Sequence, residues 1–180
     1  METEDDLLNL LIKSPNSKRI QAIAEQLEIG HNFSFSKNRN DLKGVWELRW
    51  SSSNSPFLTY SPFIDNLQIL DPFNLNGLNL LKPRGIRSII GTGILISLFY
   101  INEKRIGVKF TNAGVIGPKF VRKNIKAMKE IKNEQLGWLE ITYLSNKLRI
   151  CRGDKGTLFI LRKINSPTIF KNFKEFIKIY

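Results

Sequence analysis

The sequence predicts a mainly β protein, an antiparallel barrel of about seven strands with helices at both ends of the chain. Three observations carry this expectation. From Leu42 onward apolar residues recur at every second position rather than every third or fourth. The connections between these alternating stretches are of hairpin length. Residues 1–30 and 166–180 keep a helical period instead.

Taken in order, residues 1–30 read as a helical segment. Thr3 and Asp6 form a capping-box-like start, and Leu7, Leu8, Leu10 and Leu11 make an apolar stripe. Ser14-Pro15 ends that helix, because a residue before proline is pushed out of the helical region. Asn16 or Ser17 can cap a second helix in which Ile20, Ile23, Ala24 and Leu27 share a face, and Gly30 stops it. Residues 31–41, HNFSFSKNRND, read as a polar linker, and 42–163 as the barrel.

Gly44–Trp50 is the clearest strand, with Trp46, Leu48 and Trp50 on one face and Val45, Glu47 and Arg49 on a wetter one. Pro56, Pro62, Pro72 and Pro83 punctuate short strands around Asn66–Leu70 and Leu78–Leu81. Ile89–Ile101 is apolar on both faces, so core covers one side and a helix or bound ligand the other. Arg105–Thr111 pairs with it across Asn102-Glu103-Lys104. Leu136–Leu144, Leu148–Arg152 and Thr157–Lys163 complete the set through turns at Ser145-Asn146 and 153–156.

Residues 164–180 form a C-terminal amphipathic helix, with Ser166 as cap and Pro167 at its first position. Ile169, Phe170, Phe173, Phe176, Ile177 and Tyr180 fall on one side, and Lys171, Lys174 and Lys178 on the other. Two readings are open. The helix lies in a membrane interface, with Phe173, Lys174, Phe176, Ile177 and Lys178 as contacts; or it docks on the barrel over the outer face of Ile89–Ile101.

Composition narrows the function. A chain of 180 residues with 42% hydrophobic and 11% aromatic content holds a sizeable core and is not a disordered tail. One cysteine, Cys151, excludes a disulfide framework, and one histidine, His31, argues against a metal centre or a histidine-based triad. The longest uncharged run, Ser88–Asn102, falls short of the roughly 20 residues a membrane-spanning helix needs. Acids at Glu2, Glu4, Asp5 and Asp6 stand where a signal peptide would be basic, so a soluble intracellular or processed protein is expected. No carboxylate pair, nucleotide fingerprint or nucleophile elbow stands out, and neither catalysis nor a cofactor is expected.

The charge is uneven. Residues 1–30 carry −3, leaving +15 on the rest of a chain whose total is +12. A basic body suits an anionic partner; compositional drift, in a chain rich in Lys, Asn and Ile, accounts for it equally well. The lysine-rich stretch Lys119–Lys132 has only Phe120 among it to stack a base, so a solvated hairpin edge is favoured over nucleic acid. Two features point to an apolar ligand instead. Trp50, Phe57, Tyr60 and Phe63 lie around a proline-punctuated loop that can form the mouth of a cavity lined by Ile96, Leu98 and Tyr100, although barrel core explains the same residues. Gly44-x-Trp46 on a first strand, with arginines at 149 and 152 on a late one, is the arrangement by which lipocalin-kind barrels close one end with a cation over an indole.

The ends of the barrel segment are more specific. Gly137-Trp138-Leu139-Glu140-Ile141-Thr142-Tyr143-Leu144, followed by Leu148-Arg149-Ile150-Cys151-Arg152-Gly153-Asp154-Lys155-Gly156, resembles the C-terminal signature WLDTTYLD…LRISRGDKG of the plastid lipid-associated protein (fibrillin) family. Gly44-x-Trp46-Glu47-Leu48 with Ser51-Ser52-Ser53 is similar to its GKWELLYTSS. The likeness spans roughly residues 5–163 and is faintest between Phe57 and Lys132. Ser145-Asn146-Lys147 departs from it, since acids are usual there.

The resemblance implies a lipocalin-like β-barrel that binds or carries an isoprenoid quinone, carotenoid or fatty acid, without catalysis, at thylakoid membranes or lipid droplets. It implies that Trp46 closes the barrel under Arg149 or Arg152, and that Asp154 accepts backbone N–H bonds or pairs with an arginine. With no transit peptide, the chain resembles a bacterial, cyanobacterial-type member. The expected partners are therefore an apolar small molecule and an anionic membrane surface, with no nucleic acid. Two alternatives stand beside this: a bilin chromophore lyase or chaperone, needing a polar cavity with inward arginines, and a basic membrane-docking scaffold without a ligand.

Overall fold

The computed structural model describes residues 2–53, 58–86, 89–120 and 123–178. Three helices come first: α1 (Glu4–Lys13), α2 (Arg19–Glu28) and α3 (Phe35–Leu42). Among the described residues eight strands follow: β1 (Gly44–Ser51), β2 (Ile64–Asp71), β3 (Asn76–Pro83), β4 (Gly91–Tyr100), β5 (Arg105–Phe120), β6 (Lys123–Leu144), β7 (Leu148–Gly153) and β8 (Leu158–Ile164). Helix α4 (Pro167–Ile177) ends the order. Every strand pairs antiparallel with its chain neighbour, and β8 returns to β1, so the sheet closes on itself.

At α1 the capping box is formed in both directions between Thr3 and Asp6. At α2 the Ser17 hydroxyl accepts the Arg19 N–H. The segment read as a polar linker contains α3, and this corrects the expectation. Only Phe35 and Leu42 of α3 are buried, seven residues apart and so on one face. The N–H groups that its first turn leaves open are met from a distance: the Glu103 carboxylate accepts the Ser36 N–H at 3.1 Å and both the Ser34 and Ser36 hydroxyls at 2.6 Å. That carboxylate therefore stays ionised down to about pH 2, held by the Ser34 hydroxyl first and then by Ser36.

Three apolar clusters fill the structure. The interior holds Trp46, Leu48, Leu70, Ile96, Leu98, Ile106, Val108, Ile141, Cys151 and Leu161, closed at one end by Phe33, Phe35 and Leu42. Outside, α1 and α2 lie on Leu148, Ile150, Leu158 and Ile160. Helix α4 lies on Val45, Leu67, Ile69, Leu78, Leu80 and Leu95, burying Ile169, Phe173 and Phe176. Each of these three apolar side chains contributes about 1.5–3 kcal/mol by leaving water, which favours docking on the sheet over the membrane-interface reading of this helix.

Strands β5 and β6 are longer than the sequence pattern shows, pairing out to Phe120↔Lys123. Strand β6 pairs with β7 only from Leu139 onward, so the lysine-rich stretch lies on a hairpin edge.

Candidate functional site

The interior is the first place to look for a ligand. Trp46 is fully buried, and its indole N–H donates to the Leu42 carbonyl at 2.8 Å. The Arg149 guanidinium carbon lies 5.0 Å from the Trp46 ring centre, and its Nη2 donates to the Gln68 side-chain carbonyl. Arg149 therefore takes the covering position expected of Arg149 or Arg152. Arg152 points outward and forms a two-pronged pair with Glu28 of α2 at 2.6 and 3.0 Å. Asp154 is exposed in its turn and pairs with no arginine among the described residues. Gly44 has φ +138, and a Cβ there would come within 3.0 Å of the Lys163 side chain.

The space left inside measures about 10 Å³, lined by Leu42, Gln68, Leu70, Leu98, Val108 and Arg149 among others. That is about one water molecule, against roughly 300–1,000 Å³ for ligand pockets. Ile96 and Leu98 face this interior as expected, but as packed core rather than as walls of an open cavity.

The expected aromatic mouth is not assembled. The ladder between β1 and β8 slips between Leu48 and Trp50, leaving Arg49 as an extra residue. A one-residue slip reverses the faces, so Trp50 turns outward onto the α1–α2 cluster instead of following Trp46 and Leu48. Tyr60 lies over Arg49 at 4.3 Å and Arg84 at 5.7 Å, outside the ring. Phe63 is 81% exposed, and Phe57 lies outside the described residues.

Beneath Tyr60 is an ion network centred on Glu47, which is 3% exposed. It accepts from Arg162 at 2.8 Å, Arg84 at 3.0 Å and Arg49 at 3.1 Å. Burial pushes its carboxyl upward, but the Arg162 hydrogen bond and the Arg49 charge outweigh this, and the net shift is downward. Arg84 also donates to the carbonyls of Ser61, Pro62 and Ile64, so the network fastens the segment entering β2.

The end of the sheet closed by α3 has a different character. There the β2–β3 and β4–β5 turns are neighbours, tied by the Leu98 N–H donating to the Leu75 carbonyl at 2.8 Å. Phe73, Leu75, Phe99, Tyr100 and Ile101 each leave between 38% and 53% of their surface in water. Tyr100 was expected inside the cavity; it stands on this rim with its ring 6.1 Å from Phe35 of α3. Leu75 has φ +53, a left-handed conformation costing a non-glycine residue about 1–2 kcal/mol. The hairpin sets that conformation, since Leu75 closes the four-residue loop after the Asn74 N–H donates to the Asp71 carbonyl, and the side chain it carries keeps 42% of its surface in water.

Lysines adjoin this rim. Lys43 Nζ lies 5.7 Å from the Phe73 ring centre and 5.6 Å from that of Phe170 on α4. Beyond it an open groove of about 520 Å³ runs between α4, the ends of β1 and β8, and Asn146, with Lys43, Lys163 and Phe170 among its lining. Lys163 Nζ sits 5.0 Å from the Trp46 ring centre and donates to the Asp41 carbonyl, and burial lowers its pKa.

Of the residues expected to touch a membrane, Phe173 and Phe176 are core, which corrects their assignment as membrane contacts. Lys174 reaches Asp71 at 3.7 Å, Ile177 is half-buried against the sheet, and Lys178 is exposed. Sequence reasoning missed Phe73, Leu75, Phe99 and Ile101 as surface features, and Lys43 and Lys163 as groove residues. The available signal was Pro72-Phe73-Asn74-Leu75: large apolar residues inside a turn, where polar ones are usual.

Among the described residues, no helix is long and apolar enough to cross a membrane, and no cluster of metal-ligating side chains occurs. Neither the curated proteins nor the solved structures compared with this chain include a match. The PAP_fibrillin family model matches residues 9–162 of the 180, and the chain therefore belongs to this family of lipid-associated proteins.

Proposed function

We propose that this chain is a non-catalytic, peripheral lipid-binding protein of lipocalin-like architecture, and that it meets lipid with the outside of one rim rather than with its interior. The observation carrying this reading is the cluster Phe73, Leu75, Phe99, Tyr100 and Ile101 on two adjoining turns, with Leu75 at positive φ. Exposed apolar side chains at turn tips beside lysines suit the boundary between headgroups and acyl chains, where apolar burial and attraction to anionic lipid add. Family membership supports lipid as the partner. A thylakoid membrane or lipid-droplet surface is the location we propose.

Vesicle flotation tests this. The protein should float with liposomes, and Phe73→Ser with Ile101→Ser should abolish flotation while the protein stays folded. Flotation that survives both substitutions removes the rim from the reading.

Enclosed carriage of an isoprenoid quinone, carotenoid or fatty acid is a second reading, favoured by the apolar lining of the interior. With about 10 Å³ free, it requires α3 to withdraw Phe35 and Leu42 from the end it closes. Mass spectrometry of an organic extract of the purified protein tests it; an interior consistently without lipid counts against it. A bilin lyase needs arginines free to meet carboxylates, whereas Arg149 is committed to Gln68 and Trp46.

A further inference from the structure

We propose that the groove between α4 and the ends of β1 and β8 is a binding site for the anionic head of a membrane lipid, seated while the rim dips into the same bilayer. This rests on the rim reading above and deepens it. At about 520 Å³ the groove is of ligand-pocket size, much larger than an inorganic ion needs. Its lining includes two cations, Lys43 and Lys163, and no acid. Neither lysine forms an ion pair with a described carboxylate; Asp41 gives Lys163 its backbone carbonyl, and its charge acts on Lys163 only through space. A groove so lined is complementary to a single negative charge.

The rest of the wall decides between a free anion and a lipid. Ile164, Pro167 and Phe170 are apolar and offer an inorganic anion nothing, but they suit the first methylenes of an acyl chain. Lys43 bridges the groove to the rim, since its ammonium lies over both Phe170 and Phe73. A lipid whose head sits between Lys43 and Lys163 would thus have its chains beside Phe73, where the rim enters the bilayer. Beyond the groove, α4 begins at Ser166 without a side-chain cap and without an acid in its first turn.

The test is amide NMR of the full chain titrated with dihexanoyl phosphatidylglycerol below its micelle concentration. Saturable shifts should be confined to residues around Lys43, Gly44, Asn146, Asn165 and Ser166. Dihexanoyl phosphatidylcholine should produce none. Shifts spread over the basic surface, or equal shifts with inorganic phosphate, overturn the assignment. In flotation, Lys43→Gln and Lys163→Gln should each reduce the preference for anionic over neutral vesicles about fivefold, while Lys155→Gln in the β7–β8 turn should not. Binding to neutral vesicles should be unchanged by the groove variants and lost in the rim variants, so the two readings fail separately. An unchanged anionic preference in both groove variants, with their unfolding midpoints intact, overturns the site.

Discussion

Arg149 lies with its guanidinium carbon 5.0 Å from the Trp46 ring centre, both side chains fully buried inside the closed sheet. Among the described residues the cation has no carboxylate partner; Gln68 accepts from one of its nitrogens, and Arg149 Nε has no acceptor. Burial accordingly depresses its pKa. An unpaired buried cation carries a desolvation cost that an apolar chain of similar volume does not. Arg149→Met should therefore hold or raise the urea midpoint, whereas Trp46→Ala should cost about 3–5 kcal/mol.

Glu47 should behave in the opposite way. Its carboxylate is buried and shared by Arg49, Arg84 and Arg162. Removing it leaves three guanidiniums facing one another, and breaking such buried pairs costs about 3–5 kcal/mol. Glu47→Ala should lose that much in chemical denaturation, with earlier proteolysis at residues 58–63 as the segment pinned by Arg84 comes loose.

Acid should release α3 before it unfolds the sheet. Glu103, which caps α3, has its carboxyl lowered to about 2 by the Ser34 and Ser36 hydroxyls. Its folded pKa lies below the unfolded value, so its contribution is complete above roughly pH 4.5 and is lost as the pH falls toward 2. At the other side of the segment, the Leu144 N–H donates to His31 Nε2 at 3.1 Å, so the ring proton is on Nδ1. Burial lowers the His31 pKa below its ordinary 6.5, and its contribution likewise fades as the pH falls below that value. Amide exchange should show α3 protection declining between pH 7 and pH 3 while β7 and β8 stay protected. In Glu103→Gln the lower part of that decline should disappear.

Leu75 separates stability from use. Glycine adopts φ +53 without strain but loses more backbone freedom on folding and gives up the buried part of the leucine, so Leu75→Gly should leave stability within about 1 kcal/mol of the parent. Flotation with liposomes should weaken in the same variant. A folded variant with unchanged flotation would show that the leucine has no lipid-binding role.

How far the sequence reveals this molecule depends on how local each cause is. Strands β1, β7 and β8 are legible because alternation and Gly-rich turns are properties of neighbouring residues. The outward turn of Trp50 is not, because one unpaired residue at Arg49 reverses the pattern and nothing in the sequence marks it. Helix α3 is hidden for another reason: its cap is a glutamate 67 residues away from Ser36. Trp46 under Arg149 was legible through the resemblance of the two ends. The rim and groove were not, since their residues come from turns and element ends that only the closed sheet brings together.

Which end of the sheet faces lipid can be measured directly, by paramagnetic broadening of amide signals with spin-labelled lipid in bicelles. Broadening strongest at residues 72–75 and 100–104, fading toward the turn at 154–157, is the predicted result. Broadening centred on 154–157, or uniform over the basic surface, would contradict the proposal that this protein meets lipid through the rim around Phe73 and Leu75.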